Sequence, residues 1–196
     1  MDKFKNKYCN QSARLQNWDY GSSGVYFITI CTKNREHYFG EIKNEKMVLK
    51  EIGLIANTEW EKTQEIRPDM NLGLGEFVVM PDHFHGIIMI GENKFNSIHR
   101  RIHHRIRRIC RRDAMHGVST TNTTTKNKFG PQSKNLGSII RGFKSSVTTY
   151  ARINNIDFGW QERFHDHIIR DHNEYLRISN YIINNPKNWK EDKIFN

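Results

Sequence analysis

Apolar residues along the chain follow two periods, and the switches between them mark out its elements. Residues 25–32, VYFITICT, are rich in β-branched and aromatic side chains and follow a Gly-Ser turn at 21–24, so they predict a strand. YFGEI (38–42) and MVL (47–49) flank the polar KNEK (43–46) and read as a small hairpin. Between 52 and 66 the apolar positions Ile52, Ile55, Ala56, Trp60 and Ile66 alternate with charges, which predicts an amphipathic helix ending before Pro68. Residues 77–80 and 86–90 are apolar runs that predict two strands around the turn PDHFH. A second amphipathic helix is expected over 136–152, with Ile139, Ile140, Phe143, Val147 and Ala151 at helical spacing. A last strand is expected over 164–169. A last helix runs from 174 to about 185, where Pro186 stops it.

Apart from the hairpin and the final helix, this order is β-α-β-β-α-β. It specifies an α+β chain with a ferredoxin-like (RRM-like) antiparallel sheet, helices on one face and the other face free to meet a ligand. The pattern lapses between about 97 and 135. There IHRRIHHRIRRICRR (98–112) is almost wholly basic, and 119–128 is a low-complexity Thr/Asn/Lys stretch. One domain spanning 1–196 is expected, interrupted by this disordered or partly helical insertion.

Charge narrows the choice of partner. The formal net charge is +10 and the isoelectric point about 9.6, a field that attracts polyanions, nucleic acid first. An anionic membrane surface is the alternative, but no basic amphipathic helix flanks an apolar anchor. No run approaches the roughly 18 apolar residues of a membrane span. The N-terminal MDKFKNKYCNQSARLQ lacks the apolar core of a signal peptide. Cys9, Cys31 and Cys110 are odd in number and widely spaced. They suggest neither a disulfide framework nor a thiolate zinc site, and fit a reducing cytoplasm.

The candidate chemistry begins in the most apolar segment, FVVMPDHFHGIIMI (77–90). On extended backbone His83 and His85 point one way and Phe84 the other. Two neutral imidazoles on one face suit a divalent metal, and a hydrogen-bonded pair of histidines is the alternative. The same spacing recurs at His165 and His167, beside Arg163 and Asp166, where a solvated or phosphate-facing strand end is the simpler expectation. In YIINNP (181–186), Tyr181 and Asn185 are one helical turn apart and share a face. A carboxamide oxygen is a legitimate ligand for a hard cation such as Mg²⁺. Tyr packing with Asn capping is the plain alternative. His99, His103, His104, Cys110 and His116 match no zinc-module spacing, and their Arg neighbours disfavour a cation.

Taken together, MPDHFHG followed by YIINNP resembles the single-tyrosine HUH transposases, in particular the REP-associated tyrosine transposase (RAYT) branch. VYFITICTKNREHYFGEI, LGSIIRGFKSSVT and WQERFHDHIIRD are similar to that family too and occur in its order, so the resemblance spans about 12–98 and 135–191. It implies an HUH endonuclease-type fold and a cytoplasmic, nucleoid-associated prokaryotic protein. His83 and His85 would be metal ligands with Asn185 as third, Mg²⁺ or Mn²⁺ the cofactor, and Tyr181 the nucleophile. Tyr150 is the runner-up nucleophile. The family commonly has an aromatic-acid-His stretch where the second His-x-His falls, which makes His165 a poor ligand and lets Asp166 and His167 line the site.

The resemblance also implies the reaction. It is that of a transposase: single-strand DNA endonuclease and strand transferase activity on hairpin-forming palindromic repeats, through a 5′-phosphotyrosine. Arg141, Lys144 and Arg152 on one helix, and Arg100, Arg101, Arg105, Arg107 and Arg108 in the insertion, are expected nucleic-acid contacts. A single Tyr implies sequential steps or two cooperating subunits, hence a monomer or homodimer. A non-catalytic nucleic-acid-binding ferredoxin-like module is the alternative from a different class. A metal-dependent hydrolase using water in place of Tyr is a third.

Overall fold

The computed structural model describes residues 18–96 and 133–189, and the backbone of two short paired strands, β1 (Lys3–Phe4) and β2 (Lys7–Tyr8). The ordered core starts with β3 (Gly24–Cys31), followed by the hairpin β4 (Gly40–Lys43) and β5 (Lys46–Leu49). Then come α1 (Glu51–Glu61), α2 (Thr63–Ile66), β6 (Leu72–Val79) and β7 (His83–Ile90). The chain closes with α3 (Leu136–Ile153), β8 (His165–Ile169) and α4 (His172–Asn184). The main sheet has the order β6-β7-β3-β8 with every neighbouring pair antiparallel. Numbering only its own strands by sequence, that order is 2-3-1-4, the ferredoxin-like arrangement that the β-α-β-β-α-β pattern demands.

One face of the sheet carries the main core. Ile28, Ile30, Phe84, Ile88 and Ile90 pack there against Ile52, Ala56 and Trp60 of α1 and against α3. All five periodic residues expected on α3 are buried in it. Each such side chain contributes about 1.5–3 kcal/mol on leaving water. An Asn135–Ser138 capping box starts α3.

On the other face Phe27, Ile87 and Ile169 lie under Ile178 and Ile182 of α4. That face is therefore partly roofed, where the sequence led us to expect it free. Asp171 accepts from the Glu174 N–H at 2.9 Å and so starts α4 two residues before its first expected position.

Two boundaries differ in ways that matter. The helix expected over 52–66 is split at Lys62, where Thr63 Oγ1 donates back to the Glu59 carbonyl at 3.0 Å, a bond that bends helices. Strand β7 begins at His83, because that residue already pairs with Cys31 of β3. Only Pro81-Asp82 remains as the turn, closed by the Met80 N–H on the His83 carbonyl at 2.8 Å. Among the described residues no helix is long and apolar enough to cross a membrane.

Candidate active site

The site is built on the first three residues of a central strand. Phe84 turns into the main core, 4.8 Å from the Trp60 ring and 5.3 Å from that of Phe143. Strand alternation then sends His83 and His85 to the opposite face, where both are buried with ring centroids 4.5 Å apart. The core residue between them thus fixes the direction of both imidazoles.

Each ring is held from behind through Nδ1. The His83 Nδ1 lies 2.7 Å from Asp82 Oδ1, and Arg35 Nε donates to Asp82 Oδ2 at 2.9 Å. Asn34 and Arg35 are left-handed, with φ of 52° and 60°, and this turn after β3 swings Arg35 back over the β6–β7 corner. Thr32 fastens the same corner, its backbone N–H and its Oγ1 both donating to the Asp82 carbonyl at 2.9 Å. The His85 Nδ1 is 2.8 Å from Thr29 Oγ1 on the neighbouring strand. With Nδ1 of each ring taken up by these partners, Nε2 is the nitrogen turned toward the site, the one a metal ligand would use. Burial, then the adjacent His83 and Arg35, hold His85 well below the ordinary imidazole range, so its ring is neutral at physiological pH.

Helix α4 supplies the facing side. Tyr181 places its hydroxyl 3.3 Å from His85 Nε2, its ring 5.3 Å from that imidazole and edge-on to Phe27 at 6.3 Å. It remains 40% exposed, so the phenol can be reached from outside. Two turns further on, Trp189 lies nearly parallel to His83, with centroids 5.8 Å apart. Asn185 falls midway between these two contacts, is 1% exposed, and its Oδ1 is buried with no hydrogen-bond partner.

A buried amide oxygen left unsatisfied costs roughly 1–3 kcal/mol, and a cation would satisfy it. Two imidazoles and a carboxamide oxygen are donor types suited to a divalent ion, and they fit the group the sequence implied. Among the described residues no group of three or more His, Cys, Asp or Glu could by itself hold a metal ion.

The structure sorts the remaining expectations. Tyr150 donates to Glu51 Oε1 at 2.8 Å from α3, a helix of the main core, and so lies across the sheet from the histidines. His165 stands opposite Thr29 in register, and Thr29 stands opposite His85, so all three face the site side. His167 shares that face and is bonded to Glu174 at 2.8 Å. Asp166 pairs with Ile28 and faces the main core side, so its expected place lining the site is corrected by strand alternation. Arg141, Lys144 and Arg152 line one cleft beside α3. Arg100, Arg101, Arg105, Arg107 and Arg108, with the His and Cys residues of the insertion, lie outside the described residues. Sequence reasoning missed Thr29, Arg35 and Trp189. Their only signal was position, at a strand centre, after a strand end and one turn past Asn185.

The chain is an α+β domain of ferredoxin-like fold, with His-x-His on a central strand and a tyrosine helix laid across the same face. The chain belongs to the same family as a Haemophilus influenzae (strain Rd) protein described as uncharacterized. The two are 38% identical over 186 residues, 94% of this chain and 92% of that protein. No protein-family model matches the chain. Among solved structures, the REP-associated tyrosine transposase bound to a REP hairpin has the same fold. The likeness covers 94% of this chain and 76% of that one, with a TM-score of 0.54 and 19% identity.

Proposed function

We propose that this protein is a transposase-type DNA strand transferase that cuts single-stranded, hairpin-forming DNA by attack of Tyr181. The observation that carries the reading is the Tyr181 hydroxyl on His85 Nε2 at 3.3 Å, with the buried Asn185 one turn further along the same helix. The fold shared with a transposase solved on a DNA hairpin, and the net charge of +10, support the choice of substrate.

His83, His85 and Asn185 would hold a divalent ion, Mg²⁺ or Mn²⁺. When bound it would supply positive charge to offset the negative charge developing on a phosphodiester under attack. The chain's own residues do the rest. Asp82 and Thr29 fix the two imidazoles, with Arg35 and Thr32 fixing Asp82 in turn. Phe27 and the His85 ring position the phenol. Tyr181 Oη forms the bond to phosphorus, the bond from phosphorus to O3′ breaks, and the phenolic proton leaves through water to the departing 3′ oxygen. The product is a 5′-phosphotyrosine with a free 3′-hydroxyl. A phosphodiester has been exchanged for another phosphate ester, so a later 3′-hydroxyl can rejoin it without an external energy source.

The test is incubation with a hairpin-bearing single strand and Mn²⁺, followed by a denaturing gel. The wild-type chain should give a covalent protein–DNA band that EDTA prevents, and Tyr181→Phe should give none while still binding the hairpin. A denaturant-resistant adduct formed by Tyr181→Phe would transfer the role to another residue. Nicking without any adduct would point to water as the nucleophile.

A further inference from the structure

Beside α3, on the sheet face opposite the histidines, lies a cleft of about 650 Å³. Arg141, Lys144, Arg152 and Arg163 line it, with no carboxylate among the lining residues. Its remaining walls include the rings of Trp160 and Phe164, both partly exposed. We infer that this cleft is the seat of the single-stranded DNA flanking the hairpin, holding backbone phosphate on the arginines and an unpaired base against the two rings. The inference rests on the reading of Tyr181 as the cutting residue.

Among the described lining residues, four cations and no carboxylate suit a polyanion, with Glu162 acting on Lys144 from beside the cleft. A volume of this size falls within the roughly 300–1,000 Å³ that small-ligand sites occupy, enough for one nucleotide unit but not for a duplex. A duplex also presents phosphates only along its outside, whereas a single strand presents base faces, which the rings would accept.

The cations divide the work. Lys144 Nζ donates to the Gln161 and Arg163 carbonyls at 2.7 and 3.1 Å and lies 5.7 Å from the Trp160 ring centroid. The Trp160 indole N–H in turn donates to the Lys144 carbonyl at 3.1 Å. Lys144 thus ties the 160–163 loop to α3 and builds the wall. Arg152 and Arg163 are exposed and are the arginines the inference assigns to phosphate.

The cleft also has a connection to the cutting site. Trp160 bridges to Thr32, whose hydroxyl and N–H hold the Asp82 carbonyl. The aromatic wall and the histidine corner are thus about two strand spacings apart, on the order of 10 Å. A strand leaving Tyr181 would need to turn only around the end of β3 to reach it.

The experiment uses the full chain carrying Tyr181→Phe, in EDTA, so that neither cutting nor an ion affects the readout. Fluorescence anisotropy compares a blunt hairpin with the same hairpin bearing a thymidine tail. Adding Arg152→Gln and Arg163→Gln should weaken the tailed hairpin about tenfold, and its salt slope should fall by about 1.4, roughly 0.7 per single-strand phosphate. The blunt hairpin should change less than twofold. An abasic tail, keeping phosphates and lacking bases, should bind the parent chain at least fivefold more weakly than the thymidine tail. Equal weakening of blunt and tailed hairpins, an unchanged salt slope, or an abasic tail that binds as well as thymidine would each overturn the inference. Failure of the wild-type chain to form an adduct would sink the phosphotyrosine reading and leave these binding results standing.

Discussion

Thr29 shows how much of the site depends on a group with no chemistry of its own. It is 3% exposed, and its hydroxyl lies 2.8 Å from His85 Nδ1, the atom that sets which nitrogen faces the site. Thr29→Val keeps the shape and removes the oxygen, stranding a buried imidazole nitrogen. It should cost about 1–3 kcal/mol of stability by urea denaturation and weaken divalent-ion affinity about 10–100-fold in titration. An unchanged affinity would show that Thr29 does not orient the ring. His85 also makes stability depend on pH. Its folded pKa lies below the unfolded value of about 6.5, so at acid pH the unfolded chain binds more protons than the native one. Its contribution is present above that value and is lost as pH falls through it toward the folded pKa, with a slope of up to about 1.4 kcal/mol per pH unit. Denaturation in EDTA from pH 8 to 5 should show this slope, and His85→Gln should remove it. Parallel profiles for the two chains would refute the assignment.

At the scale of elements, packing overrides local preference where pieces meet. Gly53 lies inside α1, where alanine usually gains about 1 kcal/mol over glycine. Here a Cβ would come 2.2 Å from the Phe39 carbonyl and 3.0 Å from Leu49 Cδ2 of the β4–β5 hairpin. Gly53→Ala should therefore destabilise by about 1–3 kcal/mol in a denaturant titration, and a stabilised variant would mean that the hairpin is not docked on the helix. Most elements were legible in the sequence because burial on one side leaves a period. Helix α3 is the clearest case, with its five periodic residues all buried. The candidate pair Tyr181 and Asn185 was legible for the same reason, being one turn apart on one helix. What was not legible was the face α4 would choose. Its buried residues Ile178 and Ile182 specify an apolar stripe and not the surface that receives it. Nor could any local pattern announce Arg35, which reaches Asp82 only because two left-handed residues turn the chain back.

For the whole molecule, the proposed ion would make binding a matter of global stability. An ion bound only by the folded chain adds about 2.7 kcal/mol at a hundred times its dissociation constant. For a chain of this size that raises the melting temperature by several degrees. Mn²⁺ should produce this shift in a thermal scan, and Asn185→Ala should remove most of it, since through the ion the amide would link the end of α4 to the strand that carries both histidines. A full shift in Asn185→Ala would leave the histidines as ligands and exclude the amide.

The division between sequence and structure follows from range. By itself the sequence determined the elements, their ferredoxin-like order, and the common direction of His83 and His85, because each depends on neighbours within a few residues. Only the tertiary structure decided that α4 would roof the histidine face, that Tyr181 would meet His85 across 96 residues of chain, and that Thr29 would hold His85 across 56. Those contacts are set by strand order, register and the competition of whole faces for burial, which no local period encodes.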